Sequence, residues 1–125
     1  FLMHFVDGAH NRMLTQEPLY RKYVEPVLKE IEKHYYLDLT VEDLSGLVYI
    51  TPQYLSRLFR RFLNCSTYEY LISFRISRAK ELLLSSPRME VQEIARRSGY
   101  ADASHFIAVF KKLTGGTPLD FRRSN

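Results

Sequence analysis

The sequence predicts an all-α fold in which two helix-turn-helix subdomains are joined by a long central helix. Three observations carry that prediction. Over Leu71 to Ser85 (LISFRISRAKELLLS), Leu71, Ile72, Ile76, Ala79, Leu82 and Leu83 recur every three or four positions, which marks one buried helical face, while Arg75, Arg78 and Lys80 fall off it. On either side lies a unit of similar design, and the two units repeat each other. Each unit also carries start and stop residues for a pair of short helices at matching places.

The bulk composition narrows the class. A chain of 125 residues can bury a real core as one compact domain. Its 46% hydrophobic content belongs to a globular protein rather than a disordered one. No apolar run approaches the roughly 18 residues that a membrane-crossing helix needs. The opening FLMHFVDG has no basic stretch before its apolar part and no small-residue cleavage site, so it makes a poor signal peptide. Cys65 is the single cysteine, which excludes an internal disulfide and fits a reducing cytoplasm. The net charge of +4 suits a polyanionic partner. Its placement says more: Arg57, Arg60 and Arg61 fall in one predicted helix, and Lys111 and Lys112 in another.

Taken in order, residues 1–16 stand apart as a linker or the remnant of an upstream domain, with Phe1 to Val6 reading as a short strand and Asp7-Gly8 as a turn. Glu17-Pro18 and Glu25-Pro26 each look like a helix start, because proline and acids are favoured there. From Pro26, the residues Val27, Leu28, Ile31 and Tyr35 keep helical spacing, as expected of a helix that covers the first unit. His34 near its end reads as a surface or capping histidine. Asp38 is four residues on, but no third metal ligand accompanies the pair.

Thr40 is an N-cap, with Asp43 in the place of a capping-box acid. Val41, Leu44 and Leu47-Val48 form the inward face of a short helix, and Tyr49-Ile50 is a tight connection. Thr51-Pro52 starts the next helix, whose buried stripe is Leu55, Leu58, Phe59 and Phe62, and Asn64 is a left-handed C-cap. The first unit therefore covers 17–66. The central helix runs from Thr67 to about Ser85, roughly 28 Å at 1.5 Å per residue, and Pro87 stops it, so that the connecting segment is 67–86. The second unit, 87–125, repeats the first. Val91, Ile94 and Ala95 match Val41, Leu44 and Ser45, and Gly99-Tyr100 matches Tyr49-Ile50, at an offset of 50. Phe106, Phe110, Lys111, Lys112 and Gly115 match Leu55, Phe59, Arg60, Arg61 and Asn64 at an offset of 51, and Pro118 and Phe121 match Thr67 and Tyr70. Gly99 suits a turn that needs positive φ, whereas Tyr49 at the matching place predicts about 1–3 kcal/mol of strain or a differently built turn.

At this point the chain resembles the DNA-binding domain of the AraC/XylS family of bacterial transcription regulators. The resemblance rests on LSRLFRRF (55–62), on Arg75-Ile76 with Ala79 and Leu82-Leu83, on EIARRSGY (93–100) and on HFIAVFKKLTGGTPLDFR (105–122). It covers residues 25 to 122. It implies about seven helices and double-stranded DNA as the partner; RNA polymerase is a further expected partner. It also implies an effector-sensing domain beside this one, absent from these residues; residues 1–8 resemble a strand of that barrel-like domain.

A recognition helix sets its N-terminal and outward residues against base edges in the major groove. In the helix 51–63 the resemblance puts base contacts at Gln53, Ser56 and Arg57. The chemistry agrees, since arginine pairs bidentately with guanine and glutamine with adenine. Thr51, Tyr54, Arg60 and Arg61 are phosphate candidates. In the helix 102–114, Asp102 is the expected cap, Ser104 and His105 are the base candidates and Lys111 the phosphate candidate. His105 reads equally well as a half-buried packing residue. Ala108 stands where the family commonly has a long polar or basic side chain, which weakens base reading by this unit. With a central rod near 28 Å and one turn of B-DNA near 34 Å, the two helices are expected in successive major grooves.

Two other classes compete. An enzyme lacks support: no metal-spaced cluster, phosphate loop or nucleophile elbow is present, Gly115-Gly116 reads as a C-cap, and Cys65 as an incidental thiol. No cofactor is therefore expected. A helical protein-interaction module with only weak DNA affinity is the alternative, with Glu69, Glu81 and Glu90 as surface contacts for RNA polymerase or another regulator.

Overall fold

The structure is a computed structural model that describes residues 17–125; the strand and turn expected within 1–16 lie outside them. The described residues hold seven α-helices and no strand: α1 (Glu25–His34), α2 (Val41–Leu47), α3 (Pro52–Leu63), α4 (Thr67–Ser85), α5 (Val91–Arg97), α6 (Ala103–Thr114) and α7 (Pro118–Ser124). They sort into two compact units. One holds the described residues to His34 together with Leu39–Leu71; the other holds Tyr35–Asp38 and Ile72–Asn125. The connecting helix expected at 67–86 is α4, and each unit takes part of it.

The first unit departs from expectation at its entry. Helical structure begins at Pro18 as predicted, but Glu25-Pro26 is not a second start. The helix runs through that point as a π-helical turn, Tyr20–Val24, in which the Glu25 N–H donates to the Tyr20 carbonyl five residues back. The cause is Pro26. Inside an α-helix it removes a donor, and its ring meets the carbonyl four residues earlier, here that of Lys22; a wider turn relieves both.

Val27 and Ile31 of α1 are fully buried, Val24, Leu44, Leu55, Phe59 and Phe62 are buried as well, and Tyr20 lies edge-on to Phe62. Tyr35 lies beyond the end of α1. Leu44 is the buried residue of the face predicted for α2, but Leu47, placed inward from the sequence, stands 48% exposed. At 100° per residue Leu47 lies 60° from Leu44, on the flank of a helix only seven residues long.

Caps hold the helices where the sequence placed them. Thr40 Oγ1 accepts from the Asp43 N–H at 3.0 Å and Asp43 Oδ2 accepts from the Thr40 N–H at 3.1 Å, a full capping box. A second box, not foreseen, opens α4: the Ser66 N–H donates to Glu69 Oε1 at 2.8 Å and the Glu69 N–H donates to Ser66 Oγ at 3.1 Å. The pattern Ser-x-x-Glu was present in the sequence to be read. Its counterpart at α7 is Thr117 with Asp120, at 3.1 Å both ways.

The repeat extends to the backbone of the turns. In the first unit the Ile50 N–H donates to Ser45 O at 3.2 Å and the Tyr49 N–H to Gly46 O at 3.3 Å; in the second the Tyr100 N–H donates to Ala95 O at 2.9 Å and the Gly99 N–H to Arg96 O at 3.2 Å. Both turns need a left-handed residue, and they fill the place differently: Gly99 has φ 99° and Tyr49 has φ 61°. Tyr49 is 92% exposed, so no burial of its ring offsets the backbone strain. Gly99 is constrained further. A Cβ there would lie 2.5 Å from Tyr35 O and 2.7 Å from Arg75 Nε.

The second unit packs Ile76, Ala79, Leu83, Ile94, Ala95, Tyr100, Phe106 and Phe110 into one core. Two arginines stitch loops to it. Arg75, placed off the apolar stripe from the sequence, is instead buried. Its Nε donates to Tyr35 O and its terminal nitrogen to Leu37 O, both at 2.9 Å, with the guanidinium over the Tyr100 ring. Arg122 of α7 donates to Leu83 O, Ser86 O and Met89 O, each at 3.0 Å, and so fixes the end of α4 and the bend after it. Guanidinium has five donors in a planar fork, which is what satisfying several carbonyls at once requires.

Opposite outcomes are expected at the two turns. Tyr49→Gly should raise the unfolding free energy by up to about 1 kcal/mol, the relief of left-handed strain less the added freedom of the unfolded glycine. Gly99→Ala should lower it by more than about 2 kcal/mol, since strain and steric overlap add. Thermal or urea unfolding of the two variants checks both signs.

Candidate nucleic-acid interface

Helix α3 is held at both ends and along one side, which leaves a single face free. Thr51 Oγ1 accepts from the Tyr54 N–H at 3.1 Å, Pro52 follows in the first turn, and Asn64 closes the helix with φ 61° and its N–H on Arg60 O. The predicted stripe of Leu55, Leu58, Phe59 and Phe62 is buried in full. Because 100° separates successive residues, Gln53, Arg57, Arg60 and Arg61 then share the opposite face, and all four are exposed.

The remaining candidates on α3 are placed less freely. Thr51 is exposed but occupied as the cap. Tyr54 is half-buried, edge-on to Tyr23 with centroids 6.1 Å apart. Ser56 is half-buried, and its hydroxyl donates to Thr67 Oγ1 at 3.4 Å. The cations also differ among themselves. Neither Arg57 nor Arg60 forms an ion pair with a described residue, whereas Arg61 lies 2.6 Å from Glu17 Oε2 and its guanidinium rests over the Phe62 ring.

Helix α6 repeats the arrangement with fewer long polar groups. Asp102 caps it, its carboxylate accepting from the Ser104 N–H at 2.8 Å, and Gly115 ends it at φ 89°. Ser104, His105, Ala108, Lys111 and Lys112 are exposed. His105 is on the surface rather than half-buried, with its ring edge-on to Tyr100 at 5.4 Å. Ala108 occupies the position that Arg57 holds on α3.

Beside α6, the carboxylate of Glu93 on α5 binds Arg96, with Nε at 3.0 Å, and Arg97, with Nε at 2.7 Å. The hydrogen bonds from these two guanidiniums hold the Glu93 carboxyl down at about 2. The backbone N–H of Ser66 draws Glu69 below the usual carboxylate range, and that of Thr117 does the same for Asp120. Burial pushes the Cys65 thiol up to about 11, so it stays protonated near neutrality. His34 Nδ1 lies 2.9 Å from Glu30 Oε2, one turn back, rather than with Asp38. Among the described residues, no three His, Cys, Asp or Glu side chains gather where they could hold a metal, and no helix is long and apolar enough to cross a membrane.

Comparison with known proteins places this geometry in context. A helix-turn-helix domain model matches residues 44–124. The arabinose operon regulatory protein of Escherichia coli is 44% identical over 82 residues, which are 66% of this chain and 28% of that protein. The C-terminal domain of AraT, a response regulator from Geobacillus stearothermophilus, superposes with a TM-score of 0.78 at 34% identity and covers 87% of each chain. The DNA-binding domain of the global transcriptional factor AdpA, solved with a target DNA, gives 0.74 at 26% identity and covers 82% of this chain and 91% of that one. The chain spans less than half the length of the curated relatives it matches.

The three depressed carboxylates fix a pH dependence. A carboxyl whose value is lowered by folding contributes stability above its ordinary value, and that stability is lost as the pH falls toward the folded value. Side-chain carbonyl titration should place the Glu93 midpoint near 2 and those of Glu69 and Asp120 below the carboxylate range near 4. The unfolding temperature should fall as the pH drops below about 4.5.

Proposed function

The chain belongs to the AraC/XylS family of helix-turn-helix transcription regulators, and from that membership we propose how it reads DNA. Its recognition helices, α3 and α6, enter successive major grooves of one duplex. Helix α3 supplies most of the sequence discrimination and α6 mainly affinity for the backbone. The observation that carries this reading is the outer face of α3. Gln53 and Arg57 stand exposed in the first two turns of a helix capped at both ends, and no described carboxylate holds Arg57.

Arg57 takes a guanine edge and Gln53 an adenine edge, each contributing about 1–3 kcal/mol of discrimination. Ser56 joins them only by releasing Thr67. Arg60 binds phosphate directly. Arg61 does so once free of Glu17, while Thr51 and Tyr54 contact the backbone at the start of the helix. On α6, Ser104 and His105 meet base edges with short reach, and Lys111 meets phosphate. The alanine at 108 is the reason this helix reads little.

RNA polymerase is a further proposed partner. Of Glu69, Glu81 and Glu90, the first is committed to capping α4 and the second lies 3.0 Å from Arg78, which leaves Glu90 as the open contact. A binding rather than catalytic role fits the protonated, buried Cys65 and the commitment of His34 to Glu30. Work on chromosomal DNA puts the domain in the cytoplasm.

Selection of bound duplexes from a random pool should return a site of about two helical turns, well defined in one half and degenerate in the other. Arg57→Ala should relax the preference at one base pair by about 1–3 kcal/mol; equal weakening on every sequence would make Arg57 a phosphate contact. Binding of random duplex should weaken steeply with salt, and a log–log slope near zero would rule out the DNA reading.

A further inference from the structure

Among the described residues, Arg61 is the one cation on the outer face of α3 that another part of the chain holds. Its terminal nitrogen lies 2.6 Å from Glu17 Oε2, across 44 residues of sequence. Both side chains are about half exposed to solvent, and an ion pair so exposed contributes little to stability. The contact is therefore too weak to be needed for the fold and well suited to exchange. A carboxylate oxygen on a guanidinium presents the same charge-assisted acceptor that a phosphate oxygen would. The matching cation of the second unit, Lys112, has no such partner among the described residues, so the repeat does not require the pair.

Resting on the DNA-binding reading above, we propose that Glu17 is an intramolecular stand-in for phosphate: it occupies Arg61 in the free domain and is displaced when the backbone of DNA arrives. Glu17 lies where the chain enters the first unit, with its carbonyl accepting the Arg21 N–H at 3.1 Å at the start of the π-helical turn. A change that draws this entry away from α3 uncovers a third arginine beside Arg57 and Arg60. A change that holds it in place keeps the helix short of one phosphate contact. The entry segment thus sets the affinity of the first recognition helix without touching its base-reading residues.

The test uses this chain, its variants Glu17→Gln, Arg61→Ala and the double variant, and a random-sequence duplex titrated over a salt series. Glu17→Gln should tighten binding severalfold at low salt and leave the log–log slope unchanged, since Arg61 reaches the same phosphate in both complexes, whereas Arg61→Ala should lower the slope by about 0.9, the loss of one neutralised phosphate. In the Arg61→Ala background Glu17→Gln should change neither quantity. An unchanged affinity for Glu17→Gln overturns the proposal. So does an equal effect in both backgrounds, which would mean only that a negative charge near DNA has been removed. Wild-type binding with a clear slope alongside either of those results leaves the DNA reading standing; a wild-type slope near zero overturns both. In the unmodified chain, the Glu17 side-chain carbonyl resonance should move to its solvated position on adding duplex, and a fixed resonance counts against displacement.

Discussion

The architecture depends on one backbone constraint used twice: a tight turn closed by an N–H that reaches back five residues, from Ile50 to Ser45 and from Tyr100 to Ala95. That bond sets the angle at which a short helix delivers the chain to the longer one after it. The caps Thr51 and Asp102 then take up donors at the start of α3 and α6, and the buried stripes fix their rotation. Only after those steps does any side chain stand in a defined direction on the outer face. Positive φ at the turn is a requirement of the geometry, and the chain meets it with glycine once and with a strained tyrosine once.

Much of this was legible because it is local. The stripes of α3 and α6, the cap at Thr40, the C-caps at Asn64 and Gly115 and the uncomfortable place of Tyr49 follow from spacing and from single-residue preferences, and the internal repeat let each half support the other. What was not legible is tertiary. Pro26 reads as a helix start, but the helix passes through it by a π-helical turn, with Tyr20 and Val24 buried before it and Val27 and Ile31 buried after it. Arg75 reads as a surface cation, because nothing in its neighbourhood in sequence announces that the carbonyls of Tyr35 and Leu37 will come to it. On the candidate interface, periodicity placed Gln53, Arg57 and Arg60, while the engagement of Ser56 by Thr67 and of Arg61 by Glu17 needed contacts between distant parts of the chain.

The two reading helices share a frame and differ in equipment. The frame is set by buried residues that match at an offset of 51, Leu55 with Phe106 and Phe59 with Phe110, and those must remain large and apolar for either helix to sit correctly. The outer positions carry no such duty. Long side chains at 53 and 57 correspond to short ones at 104 and 108, and the arginine pair at 60 and 61 is matched by lysines. Arginine offers a planar fork suited to guanine and phosphate alike, lysine a point charge suited to phosphate. An asymmetry in what the two helices can recognise thus needs no asymmetry in how they are built.

The order in which the chain visits its two units sets a limit on dissection. It runs through the first unit to His34, lends Tyr35–Asp38 to the second, returns to the first from Leu39 to Leu71, and finishes in the second. No single cut separates them. A fragment ending at Leu71 stops inside a continuous helix, and one beginning at Ile72 keeps the buried Arg75 guanidinium but loses the two carbonyls that receive it. A buried cation stripped of its acceptors is strongly destabilising. The interleaving therefore denies the chain a clean cut: a repeat that looks in sequence like two interchangeable modules is not laid out as two separable segments.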